Sequence, residues 1–201
     1  TKRGDLMEIV NGERLVLGTC YYPEHWDESL WRDDLKRMLE NGIEVIRIAE
    51  FAWSKIERYE GVFNYDFFDR FLDVAADMGM KVIFCTPTAT PPAWLTEKYP
   101  EVLNANMDGV LYRHGGRRHY NYNSPKYQEL TRIIVEKSAS HYAKHPAIIG
   151  WQIDNELNCE KNEFYSESDT IAFRKFLMEK YGSIDALNEA WGTNFRNQTY
   201  N

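Results

Sequence analysis

Three polar residues, Asp154-Asn155-Glu156, end a short apolar run, Ala147-Ile148-Ile149-Gly150, that is entered through His145-Pro146. The run is strand-like, and a strand buried on both faces is apolar almost throughout. Carboxylates at its end must be solvated, paired or functional. Glu156 in that place has the chemistry of a general acid or base. The same residue types also fit a plainer role, in which Asp154 and Asn155 cap the next helix. Other reactive groups are spread along the chain. Tyr22 and Glu24, Glu50, and Thr86 and Thr88 each follow an apolar run. His141 and His145 stand at i, i+4, a spacing that can bind zinc, but Tyr142 occupies the place of the metalloprotease glutamate. Both are expected to be surface histidines.

The elements that would position these groups alternate in type. Arg14 to Cys20 reads as a first strand and runs into the aromatic loop Tyr21 to Trp26. Leu30, Trp31, Leu35, Met38 and Leu39 then recur at helical spacing, stopped by Asn41-Gly42. Ile43 to Ala49 is a second strand, followed by Glu50-Phe51-Ala52-Trp53. Phe67, Phe68, Phe71, Leu72, Ala75 and Ala76 form a helix closed at Gly79. Lys81 to Cys85 is a third strand, and its outgoing loop reaches to about Asn123. A structureless stretch that long is uncommon unless it is functional. Ser124-Pro125 offers a cap and an N1 proline for a helix to about Ala143. The fourth strand follows, then helices near Thr170–Lys180 and Ile184–Trp191.

Strand and helix alternate four times, which means parallel strands with right-handed crossovers. Polar residues close every strand, which favours a common mouth and so a (β/α)₈ TIM barrel over an open sheet. Cys20-Tyr21-Tyr22-Pro23 lacks the glycines of a nucleotide-binding turn. A full barrel takes about 250 residues. The chain, residues 1–201, is therefore expected to carry only about the first four βα units of a truncated barrel, or to have the other half supplied elsewhere.

Composition excludes several classes. With 201 residues, 43% hydrophobic and 27% charged, the chain has an ordinary soluble balance. Its net charge of -7 argues against nucleic acid as the main partner. The one basic cluster, Arg113 to His119, lies in the long loop with Gly115-Gly116. No run is apolar for long enough to span a membrane, and no signal pattern opens the chain, so a cytoplasmic location is expected. Cys20, Cys85 and Cys159 are an odd set at wide spacing, read as buried free thiols in a reducing compartment.

Taken together, the motifs resemble the N-terminal half of the catalytic barrel of the glycoside hydrolase family 42 β-galactosidases. The matching stretches are Gly18 to Trp26, Arg47 to Trp53, Pro87 to Leu95, Arg118 with Asn123-Ser124-Pro125, Trp151 to Glu156, and Tyr181-Gly182 to Trp191-Gly192-Thr193. The resemblance implies that Glu156 is the general acid/base of a retaining β-galactosidase. Such an enzyme needs a proton for a poor alkoxide leaving group, and a carboxylate nucleophile about 5–5.5 Å away. In the family that nucleophile ends the seventh strand, which this chain does not reach, so this stretch alone is expected to lack turnover. Asn155 resembles the residue that hydrogen-bonds the sugar 2-hydroxyl, and Arg118 the substrate-site arginine. The alternative for Arg118 is a solvated loop charge, and Arg117 beside it leaves the register open. Arg47 and Glu50 are expected to form a supporting ion pair. The implied partner is a β-galactoside, and the implied assembly a homo-oligomer, a trimer.

Two other functions fit the same residues. One is a carbohydrate-binding half-barrel without turnover. The other is a related β-glycosidase acting on arabinosides or fucosides. Two departures from the family stand out. Some members carry a zinc-binding cysteine cluster after the fourth strand, where this chain has Phe164-Tyr165-Ser166-Glu167-Ser168-Asp169. Cys159 alone cannot hold tetrahedral zinc. Near the C-terminus, Phe195-Arg196-Asn197 puts an arginine where an aromatic residue is common. Asn197-Gln198-Thr199 also forms a glycosylation acceptor pattern. No metal and no cofactor are expected. Elemental analysis of the purified protein should find less than stoichiometric zinc, and chelators should leave its thermal stability unchanged; one tightly held zinc per chain would contradict this.

Overall fold

The computed structural model describes residues 15–157 and 159–193. Phe195-Arg196-Asn197 and Asn197-Gln198-Thr199 lie outside the described residues, as does Arg14. The chain divides into two compact units, one formed by residues up to 94 with 131–157, the other by 95–130 with 158 onward.

The first unit holds four strands: β1 (Leu17–Cys20), β2 (Ile43–Ile48), β3 (Lys81–Cys85) and β4 (Ile148–Gln152). They form one sheet in the order β1-β2-β3-β4, with every pair parallel. Spatial order follows chain order with no reversal. That is the arrangement of a barrel arc, whereas a doubly wound sheet reverses at a switch point. Gly18 allows a close approach of the first two strands. A Cβ there would lie 3.1 Å from the Val45 carbonyl oxygen and 3.4 Å from the Val45 Cβ.

The helices follow from their apolar spacing. After β1 comes α1 (Trp31–Glu40), after β2 come α2 (Trp53–Ile56) and α3 (Asp66–Met78). On α3, Phe68, Phe71, Leu72 and Ala75 are fully buried, one face of a helix. The helix ends where Gly79 takes a left-handed φ of 80°. Ile46, Ile48, Val82 and Phe84 are fully buried on the inner strands. Phe84 is the hub of this core, with ring centroids 5.6 Å from Phe68, 4.8 Å from Tyr142 and 5.4 Å from Trp151.

The outer strands are less covered. β1 is exposed throughout and β4 is half-buried, because each has a single neighbour. This corrects the expectation of three buried thiols. Cys85, on an inner strand, is buried; Cys20, on the outer one, is exposed; Cys159 is intermediate.

The long connection after β3 is not structureless, contrary to the sequence expectation. It contains 3-10 turns at Pro87–Ala89 and Pro100–Val102 and the helix α4 (Ala93–Lys98). Antiparallel bridges join Leu103 to Tyr120 and Ala105 to Leu111. Val102, Ala105 and Tyr120 are buried, so this segment orders itself around its own apolar residues. The helix α5 (Pro125–Tyr142) starts as the Ser124-Pro125 pair predicts, with Ser124 Oγ accepting from the Tyr127 backbone N–H at 3.3 Å. α6 (Glu167–Tyr181) and α7 (Ile184–Trp191) complete the second unit. α6 begins earlier than its apolar spacing suggests, because Ser166 and Asp169 form a reciprocal capping box. Among the described residues, no helix is long and apolar enough to cross a membrane.

Phe84→Ala should therefore cost about 3–5 kcal/mol of stability. Urea unfolding of the purified chain should show a lower midpoint at unchanged slope.

Candidate active site

Every described strand of the first unit delivers polar groups at its carboxyl end. After β1, the Tyr22 hydroxyl donates to Glu50 Oε1 at 2.8 Å. Burial, then the hydrogen bond to Glu50, push the Tyr22 phenol up to about 12, so it remains a donor at neutral pH. At the end of β2, Arg47 Nη2 donates to the same oxygen at 2.8 Å. The expected ion pair is thus present, and Glu50 is 0% exposed. The chain turns between them through Ala49, whose φ is 74°.

Arg47 also reaches across the sheet. Its Nη1 donates to Gln152 Oε1, the last residue of β4, at 3.0 Å. Gln152 Nε2 in turn donates to the Asp154 carbonyl oxygen at 2.9 Å and to Asn155 Oδ1 at 3.2 Å. From β3, Thr86 Oγ1 accepts the Asp154 backbone N–H at 2.7 Å, and Thr88 Oγ1 donates to Asp154 Oδ2 at 2.7 Å. Asp154 Oδ1 accepts the Asn155 backbone N–H at 2.6 Å. Asp154 and Asn155 are buried, while Glu156 is exposed. Asp154 and Glu156 adopt left-handed backbone, with φ of 54° and 49°.

The helix-capping role for Asp154 and Asn155 is overturned by this geometry. The next helix starts at Glu167 and is capped by Ser166. Asp154 instead fastens the turn after β4 to the end of β3.

The structure brings Asn155 and Glu156 together with Gln152 in the first unit. Arg118 belongs to the second unit. There it is 2% exposed, so it is not a solvated loop charge. Its Nη1 donates to the Tyr120 hydroxyl at 2.8 Å and also to the Tyr122 hydroxyl. Arg117 points elsewhere, 3.3 Å from Glu160, with a partly exposed side chain. Of the two arginines, Arg118 is thus the buried one. Asn123 Nδ2 donates to Asp169 at 2.7 Å, tying the loop before α5 to the first turn of α6.

His141 and His145 have separate acidic neighbours. His141 is exposed, stacks on Tyr65 at 4.3 Å and sits 2.8 Å from Asp69; His145 faces Asp73 at 3.7 Å and is more buried than a surface residue. The roles of Gln152 and Asp154 are not apparent from sequence. Both lie inside a motif whose chemistry draws attention to its neighbours.

Two hollows accompany these groups. One of about 300 Å³ is lined by Gly18, Thr19, Cys20, Val45, Arg47 and Ile83, on the sheet face that carries Arg47. A larger one of about 770 Å³, bordered by Glu24, Trp26, Lys55, Tyr59 and Phe67, contains none of Arg47, Glu50, Asn155 or Glu156.

Over most of its length the chain is similar to known β-galactosidases. The β-galactosidase family model of glycoside hydrolase family 42 matches residues 20–201. The β-galactosidase BgaA of a Thermus species is 46% identical over 186 residues, which are 92% of this chain and 29% of that protein. The crystal structure of a β-galactosidase from the psychrophilic Marinomonas ef1 superposes with a TM-score of 0.88 at 44% identity, covering 92% of this chain and 28% of that one. A second structure, of a catalytic glutamate-to-alanine mutant of the G. stearothermophilus β-galactosidase Gan42B, matches with a TM-score of 0.85 at 36% identity and covers 92% and 27%. The chain thus spans less than a third of the length of these relatives.

Cys85 offers a check on the packing around Glu50. Burial, and after it the Glu50 charge, push its thiol from 9.0 up to about 12. A native protein should therefore release Cys20 to a thiol reagent at pH 8 well before Cys85, which should react only on unfolding. The folded state holds the Cys85 proton more tightly than the unfolded chain. That contribution to stability is complete below pH 9 and is lost as pH rises from 9 towards 12. Urea midpoints should fall over that window, and Cys85→Ala should flatten the fall.

Proposed function

The chain belongs to the glycoside hydrolase family 42 β-galactosidases, and from that premise we propose that residues 1–201 are the N-terminal part of the catalytic (β/α)₈ barrel of a retaining β-galactosidase. The observation that carries the proposal is the exposed Glu156 carboxyl, held at the carboxyl end of β4 on a turn pinned from β2 and β3. Catalytic groups of such barrels sit at that end.

In this proposal Glu156 works twice. As a carboxylic acid it protonates the glycosidic oxygen while the C–O bond breaks and a second carboxylate attacks the anomeric carbon. As a carboxylate it then takes a proton from water, whose oxygen displaces the enzyme carboxylate and restores the β configuration. The second carboxylate belongs to residues outside this chain. Asn155 binds the sugar 2-hydroxyl, and Arg118 binds another part of the substrate. The substrate class, a terminal β-galactoside, follows from what the relatives are named for. The resemblance noted from sequence assigns the whole enzyme a trimeric assembly.

Removing Glu156 should then hurt according to the leaving group. In full-length Glu156→Ala, an alkoxide leaving group should lose several orders of magnitude in the glycosylation step. A dinitrophenyl leaving group departs unaided, so its glycosylation should fall little and deglycosylation should limit turnover. Azide, which needs no base, should restore turnover and give the β-galactosyl azide. The galactosyl-enzyme should accumulate on a peptide outside residues 1–201, visible by mass spectrometry. Equal slowing of both substrates with no azide response would remove Glu156 from the acid/base role.

A further inference from the structure

We propose that Gln152 is a positioning residue that sets which atom of the Asn155 amide faces the sugar. The inference rests on the proposed contact between Asn155 and the 2-hydroxyl. It starts from Arg47, because a guanidinium has donors and no acceptor. The Gln152 atom 3.0 Å from Arg47 Nη1 must therefore be the amide oxygen. That leaves Gln152 Nε2 on the side of Asp154 and Asn155, where it has two hydrogens to give. The Asp154 carbonyl oxygen takes one at 2.9 Å. The Asn155 atom at 3.2 Å must accept the other, so it is Oδ1. With Oδ1 held by Gln152, Nδ2 lies on the other edge of the Asn155 amide.

The polarity of the sugar-facing group is thus imposed from Arg47, two side chains away. Arg47 is itself fixed by Glu50, which is fully buried and also bonded by the Tyr22 hydroxyl. A donor at Asn155 lets the sugar hydroxyl oxygen accept while the hydroxyl proton remains available to a carboxylate. A flipped amide would present an acceptor and compete for that proton.

Gln152→Glu tests this function, and it also takes the donor from the Asp154 carbonyl oxygen, so the comparison between substrates carries the test. The new carboxylate keeps its bond to Arg47 but puts an acceptor where Nε2 stood. The Asn155 amide must then flip to donate to it. The assay compares full-length enzyme on a dinitrophenyl β-galactoside and on the 2-deoxy analogue. Gln152→Glu should lower kcat/KM on the 2-hydroxy substrate by roughly tenfold to a hundredfold, mostly in kcat, since such contacts tighten in the transition state. On the 2-deoxy substrate it should change kcat/KM by less than about threefold, because no hydroxyl remains to misread the amide.

Asn155→Ala tests the underlying contact separately, and should show the same substrate selectivity. The double variant should be no worse than Asn155→Ala alone. If Asn155→Ala slows both substrates equally, the 2-hydroxyl contact itself is wrong, and the positioning role goes with it. If Asn155→Ala is selective but Gln152→Glu slows both substrates equally, or neither, the contact stands and the positioning role is overturned. Should Gln152→Glu fail to fold, Gln152→Met, which removes both polar atoms at similar volume, carries the same comparison. Its loss must again be confined to the 2-hydroxy substrate.

Discussion

Glu50 is the constraint from which the rest of the first unit's chemistry follows. It is a carboxylate with no exposure to water, two residues beyond the end of β2. A buried charge of this kind persists only when paired and hydrogen-bonded, and here the partner is a partly exposed arginine. Arg47 and Tyr22 both converge on one of its oxygens. The loop after β1 is thereby tied to the end of β2 by a requirement that water cannot meet. Arg47 has a second nitrogen to satisfy, and Gln152 on β4 meets it. One buried carboxylate thus fixes the carboxyl ends of three strands relative to each other.

The fourth strand end joins through Asp154. Its backbone and side chain are held by Thr86 and Thr88, which follow β3. The turn bearing Asn155 and Glu156 is therefore held from β2 through Gln152 and from β3 through the threonines. A site carried on strand ends and braced from its neighbours keeps its geometry better than one on a free loop. Arg118 illustrates the same economy in the second unit. Its charge is buried against two tyrosine hydroxyls, so its direction is set by packing rather than by solvent.

Much of this was legible in the sequence, for definable reasons. The four strands and their helices show because apolar period is a local property, and Phe68, Phe71, Leu72 and Ala75 keep it. The Arg47–Glu50 pair shows because complementary charges lie three residues apart at a strand end. What did not show depends on distant partners. Gln152 is one more polar residue until Arg47, 105 positions away, gives its amide a direction. The exposure of Cys20 depends on what lies beside β1, which the local sequence does not encode. The order within residues 86–123 comes from bridges such as Leu103 to Tyr120, again non-local. Asp154 and Asn155 have the chemistry of helix caps, and only the Ser166 capping box shows that they are used otherwise.

The backbone of the turn after β4 is unusual for a strand end. Asp154 and Glu156 both lie in the left-handed region, on either side of Asn155. For a residue with a Cβ this costs roughly 1–2 kcal/mol, and glycine would avoid the cost. Asp154 recovers it through the bonds of its backbone and carboxylate to Thr86, Thr88 and Asn155, so its strain has a structural reason. Glu156 is exposed and shares the left-handed φ. An exposed glutamate in a conformation that glycine would adopt more cheaply is the kind of backbone outlier from which a functional role is inferred. Its turn is braced on the N-terminal side through Asp154 and Asn155, and such strain persists where the surrounding structure over-determines the backbone.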